Sequence, residues 1–243
     1  MKAGFFIRLK LLAIAVTAFA LVGCAEDVAV KPSSSTLDSG LLLNMPFNGN
    51  FQDEGPLALT SSSTSTPTLT ADRHGNMFSA YDFTGASSNF IEVAHVPELS
   101  PPVYSQSVWF AINNIGVTRQ DFLIGKGVSY EIHTSGATTD DIRVISAGFP
   151  DAYLDSATGT ITAGWHHVVA TYDGVTIQIY YDGALLIEQS GYASIVDNTL
   201  NTTNLFLGIR AGGGGLPLDG QLDDVRMYNR VLSAAEVAAL YNM

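Results

Sequence analysis

Cysteine is almost missing from this chain: its 243 residues contain one, Cys24. An exported domain stapled by disulfides needs an even set, so the fold has to stand on its packed core. Membrane-spanning length is missing too. The apolar run at residues 11–22 is twelve residues long, well short of the ~20 that cross a bilayer as a helix. Positive charge is scarce, with 11 Lys and Arg against 23 Asp and Glu for a net charge of −12. That balance disfavours nucleic acid and anionic membrane surfaces as partners and is compatible with cations, neutral glycans or basic proteins.

Catalytic signatures are missing as well. The glycine run at residues 211–215 is followed by Leu216 and Pro217 rather than Lys-Ser/Thr, so it reads as a loop and not a phosphate cradle. No nucleophile elbow precedes a serine. Retaining glycoside hydrolysis needs two carboxylates ~5 to 5.5 Å apart, which residues four apart on one strand face would supply. The seven glutamates (26, 54, 92, 98, 131, 188 and 236) are scattered singly, with no Glu-x-Asp-x-x-Glu spacing. His166 and His167 are neighbours in a strand pattern and point to opposite faces, so they cannot share one ion. His74, His95 and His133 fall on separate segments without ligand spacing. The two tryptophans, Trp109 and Trp165, sit in strand patterns that read as core, which leaves Tyr130, Tyr153 and Tyr180 as candidate exposed platforms.

What is present begins with an export signal. Lys2, Arg8 and Lys10 make a positive start, and the apolar run leads into Leu21-Val22-Gly23-Cys24. This resembles the bacterial lipobox, in which the peptide is cut before the cysteine and the thiol carries diacylglycerol. The resemblance implies a lipidated Cys24 and attachment to the cell envelope by the anchor alone; several acyl chains hold where one is marginal. Ala25 stands where an aspartate commonly favours inner-membrane retention in Gram-negative lipoproteins, which points to the outer membrane. Cleavage removes residues 1–23 with three of the eleven basic residues and none of the acidic ones, taking the net charge from −12 to −15. Residues 24–39 are polar and serine-rich and read as a flexible tether. Residues 40–243 contain no second linker or repeat and read as one domain.

Short β-rich runs broken by turn signals fill that domain. Two Asp-Gly pairs, Asp173-Gly174 and Asp182-Gly183, separate three strand-like runs and predict consecutive hairpins. In the middle run Val175, Ile177, Ile179 and Tyr181 alternate with Thr176, Gln178, Tyr180 and Asp182, the period of a strand that covers a core on one side. The runs at 90–93, 107–112, 142–145 and 205–209 read similarly, so the fold class is all-β and antiparallel. One helix is expected, at 234–241, where Ser233 and Glu236 form a capping box and Leu232 and Val237 a hydrophobic staple.

Four segments carry a family resemblance. They are Leu43-Asn44-Met45-Pro46-Phe47-Asn48-Gly49-Asn50-Phe51-Gln52-Asp53-Glu54-Gly55; Tyr81-Asp82-Phe83-Thr84-Gly85 running on to Phe90-Ile91-Glu92-Val93; Gly164-Trp165-His166-His167-Val168-Val169-Ala170-Thr171-Tyr172-Asp173-Gly174; and Gly220-Gln221-Leu222-Asp223-Asp224-Val225-Arg226-Met227-Tyr228-Asn229-Arg230-Val231-Leu232-Ser233. In this order they resemble the laminin-G-like domain of the concanavalin A-like lectin/glucanase jelly rolls. The segment 117–163 matches no motif. The resemblance implies two stacked antiparallel sheets with the chain's distant ends side by side. That architecture hosts lectins, adhesion modules and glycan-cleaving enzymes alike.

A structural calcium ion is also implied. Alternation through 222–228 places Asp223, Val225 and Met227 on one face, with Leu222, Asp224 and Arg226 on the other. Asp223 would then point into the margin of the sandwich, a costly position unless it is paired or bound to metal. In jelly-roll relatives an aspartate here reaches a calcium completed by the N-terminal loop. The matching ligands are Asp53, Asn50 and the carbonyl of Gly55, oxygen donors that suit Ca²⁺. In the alternative, Asp223 accepts backbone hydrogen bonds and Asp53 is a turn residue. The functional expectation is a surface-anchored, non-catalytic module that binds carbohydrate or an extracellular protein. Its alternatives are a glycan-cleaving enzyme of the same superfold and an assembly lipoprotein.

Overall fold

The computed structural model describes residues 34–127, 129–135, 140–146, 153–192, 201–210 and 215–243. The export signal, Cys24, most of the tether and residues 211–214 of the glycine run lie outside the described residues.

Alternating apolar runs leave each strand one face to bury, and two sheets bury them against each other. Strands β13 (Ala184–Ser190), β12 (Thr176–Tyr181), β11 (His166–Tyr172), β6 (Tyr104–Ile112), β15 (Asp219–Tyr228), β4 (Ala80–Thr84) and β3 (Thr68–Thr70) cross an eight-stranded sheet in that order. Strand β1 (Leu41–Met45) completes it by pairing with the second half of β15, so the first and last strands are neighbours. The other sheet has seven strands in the order β10 (Tyr153–Asp155), β9 (Ile142–Ser146), β8 (Tyr130–Thr134), β7 (Phe122–Gly125), β14 (Leu205–Leu207), β5 (Ile91–Val93) and β2 (Ser61–Ser62). The pairings are antiparallel. The expected sandwich is therefore the observed one. Both Asp-Gly turns link the strands predicted around them, and Ile177 and Ile179 enter the central core. Val175 precedes β12 and is exposed.

The inner faces meet in one apolar cluster that includes Phe83, Ile91, Phe110, Leu123, Ile132, Val144, Val168, Ile179, Leu207 and Leu222. Each such side chain contributes ~1.5 to 3 kcal/mol by leaving water. A second cluster lies on the outer face of the eight-stranded sheet, where Val169, Tyr180 and Tyr228 pack under Leu232, Val237, Ala239 and Leu240. The covering element is α2 (Ala234–Tyr241). The Ser233 side chain accepts from the Glu236 backbone N–H, and Glu236 accepts from the Ser233 backbone N–H.

Three expectations change. Trp109 is buried but not in the central core: it lies on the outer face in a cluster of three rings, with His167 at 5.0 Å, Tyr241 at 5.3 Å and those two 6.2 Å from each other. Trp165 precedes β11 and is half-buried. The tether ends earlier than residue 39. Residues 34–37 form a helical turn (α1, Ser34–Leu37), Leu37 joins the second cluster, and Arg230 donates to the carbonyls of Thr36 and Ser39.

The largest correction concerns β15. Its register against β6 shifts between Asp223, which pairs with Trp109, and Arg226, which pairs with Ser107, so that Asp224 and Val225 together oppose the single residue Val108. Asp224 is the extra residue, at φ +45°, which makes this a β-bulge. Leu222, Val225 and Met227 therefore face the core, and Asp223 leaves the face it would have shared with Val225. Asp223 and Arg226 instead line the same outer cavity.

Candidate functional site

The residues expected to hold calcium do not assemble into a donor set. Asp53 is saturated by the backbone: one oxygen accepts from the N–H groups of Asn44 and Gly55 and the other from Leu59, all at 2.8 Å. The Gly55 carbonyl accepts from Ala58 N, and Asn50 Oδ1 accepts from Gln52 N in an exposed turn. Asp223 gives one oxygen to Asp224 N and the other to Arg73 Nη1, each at 2.8 Å. Arg73 also reaches Asp224 at 2.8 Å and lies over the Trp109 ring. The cation that Asp223 requires is thus a guanidinium from a loop 150 residues away. No three His, Cys, Asp or Glu side chains converge as metal ligands among the described residues. Calcium does not fit these residues.

A better-furnished surface is the outer face of the seven-stranded sheet. Strand alternation sends Ile91, Leu205, Tyr130, Ile132, Val144 and Leu154 into the core and the residues between them outward. Register then aligns Glu92, Phe206, Gly125, Glu131, Ile145 and Tyr153 in one row across six strands. A neighbouring row runs Phe122, His133, Arg143 and Asp155. Arg210 lies above it, with its guanidinium 5.9 Å from the Phe122 ring.

The chemistry of this face is uneven. Glu131 is buried over Gly125, where a Cβ would come within 3.0 Å of its Cγ. The guanidinium of Arg210 faces its carboxylate at 3.9 Å. Burial pushes the Glu131 carboxyl up to about 7 against the pull of Arg210, so it is partly protonated at neutral pH. His133 stacks on Phe122 at 4.3 Å and places Nδ1 2.6 Å from the Thr134 carbonyl. That oxygen can only accept, so Nδ1 carries the proton, and Nε2 is a buried acceptor without a partner among the described residues. Burial holds His133 down at about 4. Toward the sheet edge the face opens: Tyr153 is 49% exposed, and Arg143 lies 3.8 Å over its ring while gripping Asp155 through two bonds of 2.7 Å.

A buried carboxyl near neutrality invites a catalytic reading, but the described residues around it do not supply the second carboxylate. The residue four along from Glu131 is Ser135, just past the end of β8 and not an acid. Asp155 lies two strands away, roughly 10 Å at ordinary strand spacing, and is held by Arg143. Glu92 accepts from Asn204 and Asp141 from Ser135 N. What the face offers is an exposed aromatic ring flanked by planar charged groups and a second, half-exposed guanidinium. These are the means of stacking and hydrogen-bonding a ligand.

Of the three tyrosines read as candidate platforms, Tyr130 and Tyr180 are buried and only Tyr153 is exposed. Glu131, His133, Arg143, Asp155 and Arg210 were not singled out from the sequence. The signal was there in Tyr130-Glu131-Ile132-His133 and Ile142-Arg143-Val144, whose polar residues alternate with core ones. Nothing local, however, says that these strands lie side by side.

The family model described as the concanavalin A-like lectin/glucanases superfamily matches residues 84–238, a span that includes every residue of the two rows. Among solved structures, the fold resembles botulinum neurotoxin type C, which interacts with two ganglioside molecules (TM-score 0.67, 11% identity, covering 86% of this chain and 53% of that one). It also resembles the binding domain of Paraclostridial Mosquitocidal Protein 1 (TM-score 0.65, 13% identity, 85% and 52%). A third similar structure is the binding domain of botulinum neurotoxin DC in complex with rat synaptotagmin II (TM-score 0.63, 11% identity, 84% and 52%). The chain spans about half the length of these structures. At such identities the likeness is one of fold. No curated protein matches it by sequence.

Proposed function

Taking as premise that the chain belongs to the concanavalin A-like lectin/glucanase superfamily, we propose that it is a non-catalytic binding module, held at the bacterial cell surface by a lipid on Cys24. It recognises carbohydrate or another extracellular ligand through the outer face of the seven-stranded sheet. The observation that carries this reading is the composition of that face: exposed Tyr153 beside Arg143 and Asp155, with Arg210 across the rows. The similar folds support it in kind, since they include a toxin that interacts with gangliosides and a binding domain in complex with synaptotagmin II. The isolated Glu131 favours binding over hydrolysis, because glycosidic cleavage needs a partner carboxylate at defined separation.

The test is a glycan array, and an array of extracellular proteins, probed with the full chain and with Tyr153→Ala and Arg210→Gln. A hit that both substitutions weaken by roughly tenfold, as loss of a stacking ring or a charged hydrogen bond would, supports the reading. Retained binding in both variants sinks the assignment of the face. Release of reducing ends from β-glucan, alginate, carrageenan or chitin, lost in Glu131→Gln, would instead make the protein an enzyme.

A further inference from the structure

The loop between β3 and β4 holds two large apolar side chains out in water. Met77 and Phe78 are 65% and 59% exposed, and hydrogen bonds fix the chain on both sides of them. Asp72 N donates to the Asn76 carbonyl at 3.1 Å and Ser79 N to the Thr70 carbonyl at 3.0 Å. The Asp72 carboxylate accepts from His74 N, Asn76 N and Asn76 Nδ2, each at 2.8 Å, and closes the turn. Phe78 itself has φ +64°, a region that favours glycine, and its carbonyl accepts from Gly49 N at 2.8 Å. A strained backbone at a pinned loop tip that turns a phenylalanine into solvent marks a contact surface.

The place of this loop in the fold says what it meets. Asn76 and Ser79, which flank the pair, line the outer cavity together with Arg226 and Met243. Arg226 Nη1 lies 3.4 Å from Met243 Sδ, so the loop stands beside the end of α2, where Tyr241 and Met243 are exposed as well. The start of α2 holds the tether. Leu37 of α1 packs in one cluster with Val237 and Leu240, and Arg230 joins the Thr36 and Ser39 carbonyls to Glu236. The docked end of the tether and the apolar loop therefore border one helix of eight residues, about 12 Å long, on the outer side of the eight-stranded sheet. Ser34 is ten residues on from Cys24, which a fully extended chain spans in at most ~36 Å.

We infer that Met77 and Phe78 dip into the bilayer that holds the anchor, so that the outer face of the eight-stranded sheet lies towards lipid and the seven-stranded face points away from it. The inference rests on the lipid-anchor part of the proposed function. An aromatic ring and a thioether at a loop tip suit the boundary between headgroups and acyl chains. Two side chains are too few to hold a free domain there, since even a single acyl chain binds marginally; the anchor supplies the effective concentration that makes the contact persist. Local charge does not oppose the contact: Arg73 is paired with Asp223 and Asp224, and Asp72 is bonded within its turn. The excess of acidic over basic residues in the chain makes the partner a zwitterionic lipid surface rather than an anionic one.

Cys24 is the only cysteine and its thiol is taken up by the lipid, so a cysteine introduced elsewhere is the single free thiol. The lipidated chain carrying Met77→Cys, Phe78→Cys or Tyr153→Cys is spin-labelled in phosphatidylcholine vesicles. Collisions of each label with oxygen and with a water-soluble nickel chelate are read by electron paramagnetic resonance. All three positions are exposed, so no substitution removes a core contact. The labels at 77 and 78 lose collisions with nickel and gain those with oxygen relative to the label at 153, which stays in water. Adding Phe78→Ser to the chain labelled at 77 restores nickel collisions there. Nickel access at 77 and 78 equal to that at 153, immersion of the 153 label, or a label at 77 indifferent to Phe78→Ser overturns the proposal. Flotation of the same samples with the vesicles separates the two readings. A wild-type chain that does not float removes the anchor and this contact with it, whereas a floating chain with water-exposed labels at 77 and 78 removes the contact alone.

Discussion

At the scale of the residue, Arg73 organises the outer side of the bulge. It neutralises two aspartates and stacks on Trp109 at 4.4 Å. Breaking a buried ion pair from one side costs about 3 to 5 kcal/mol, because the other charge stays buried alone. Arg73→Met is expected to lose stability on that scale in urea melts, and adding Asp223→Asn to recover part of it. Chelator should leave the melting temperature of the wild type unchanged, since the guanidinium stands where a metal was expected. Asp223 also has a signature in pH. Burial first, then Asp224, raises its carboxyl to about 7 against the opposing charge of Arg73. A raised acid contributes stability that is complete below its unfolded value of 3.8 and is lost as pH rises towards 7. His133 and His167 act in the opposite sense. Burial depresses them to about 4 and about 3, so their contribution is present above 6.5 and is lost as pH falls through those values. The wild-type profile is therefore composite, and the difference from Asp223→Asn isolates the carboxyl. That difference should grow in favour of the variant between pH 4 and pH 7, and a flat difference would contradict the burial argument.

At the scale of the element, the C-terminal helix was the most local of the structures and the easiest to read. Ser233 and Glu236 exchange bonds across its first turn, and Arg230 holds the same glutamate through contacts of 2.8 and 3.0 Å. Loss of such a cap costs about 0.5 to 2 kcal/mol. Ser233→Ala should therefore lower stability by about 1 kcal/mol and speed hydrogen exchange at the Glu236 and Val237 amides first. The last strand was legible only in part. Alternation located β15 correctly and put Val225 and Met227 on the core side, but it put Leu222 and Asp223 on the wrong faces, because one extra residue at Asp224 breaks the parity of the strand. A bulge is set by the neighbour opposite, here Trp109 to Ser107 on β6, more than 100 residues earlier. Asp224 in the left-handed region leaves no local mark, as aspartate is common there and elsewhere.

At the scale of the whole molecule, the domain closes by laying its first strand along its last, Leu41 to Met45 against Val225 to Tyr228. The lipid anchor is a prediction at this scale, because it decides where that domain works. Cys24→Ala should abolish labelling by a palmitate analogue and block cleavage before residue 24; unchanged labelling would remove the anchor. The structural likeness to longer binding domains stops at about half their length.

Taken alone, the sequence determined what depends on neighbours in the chain: the all-β class, the two Asp-Gly hairpins, the capped helix and the family motifs at both ends. Those properties rest on period, turn chemistry and capping, each a matter of a few consecutive residues. Tertiary structure decided what depends on register. It placed Arg73 beside Asp223, turned Trp109 outward under α2, and aligned Glu131, Arg143 and Tyr153 from the segment 117–163, which carries no motif. Alternation says that a residue faces away from the core, whereas only pairing between strands says which residues stand beside it there.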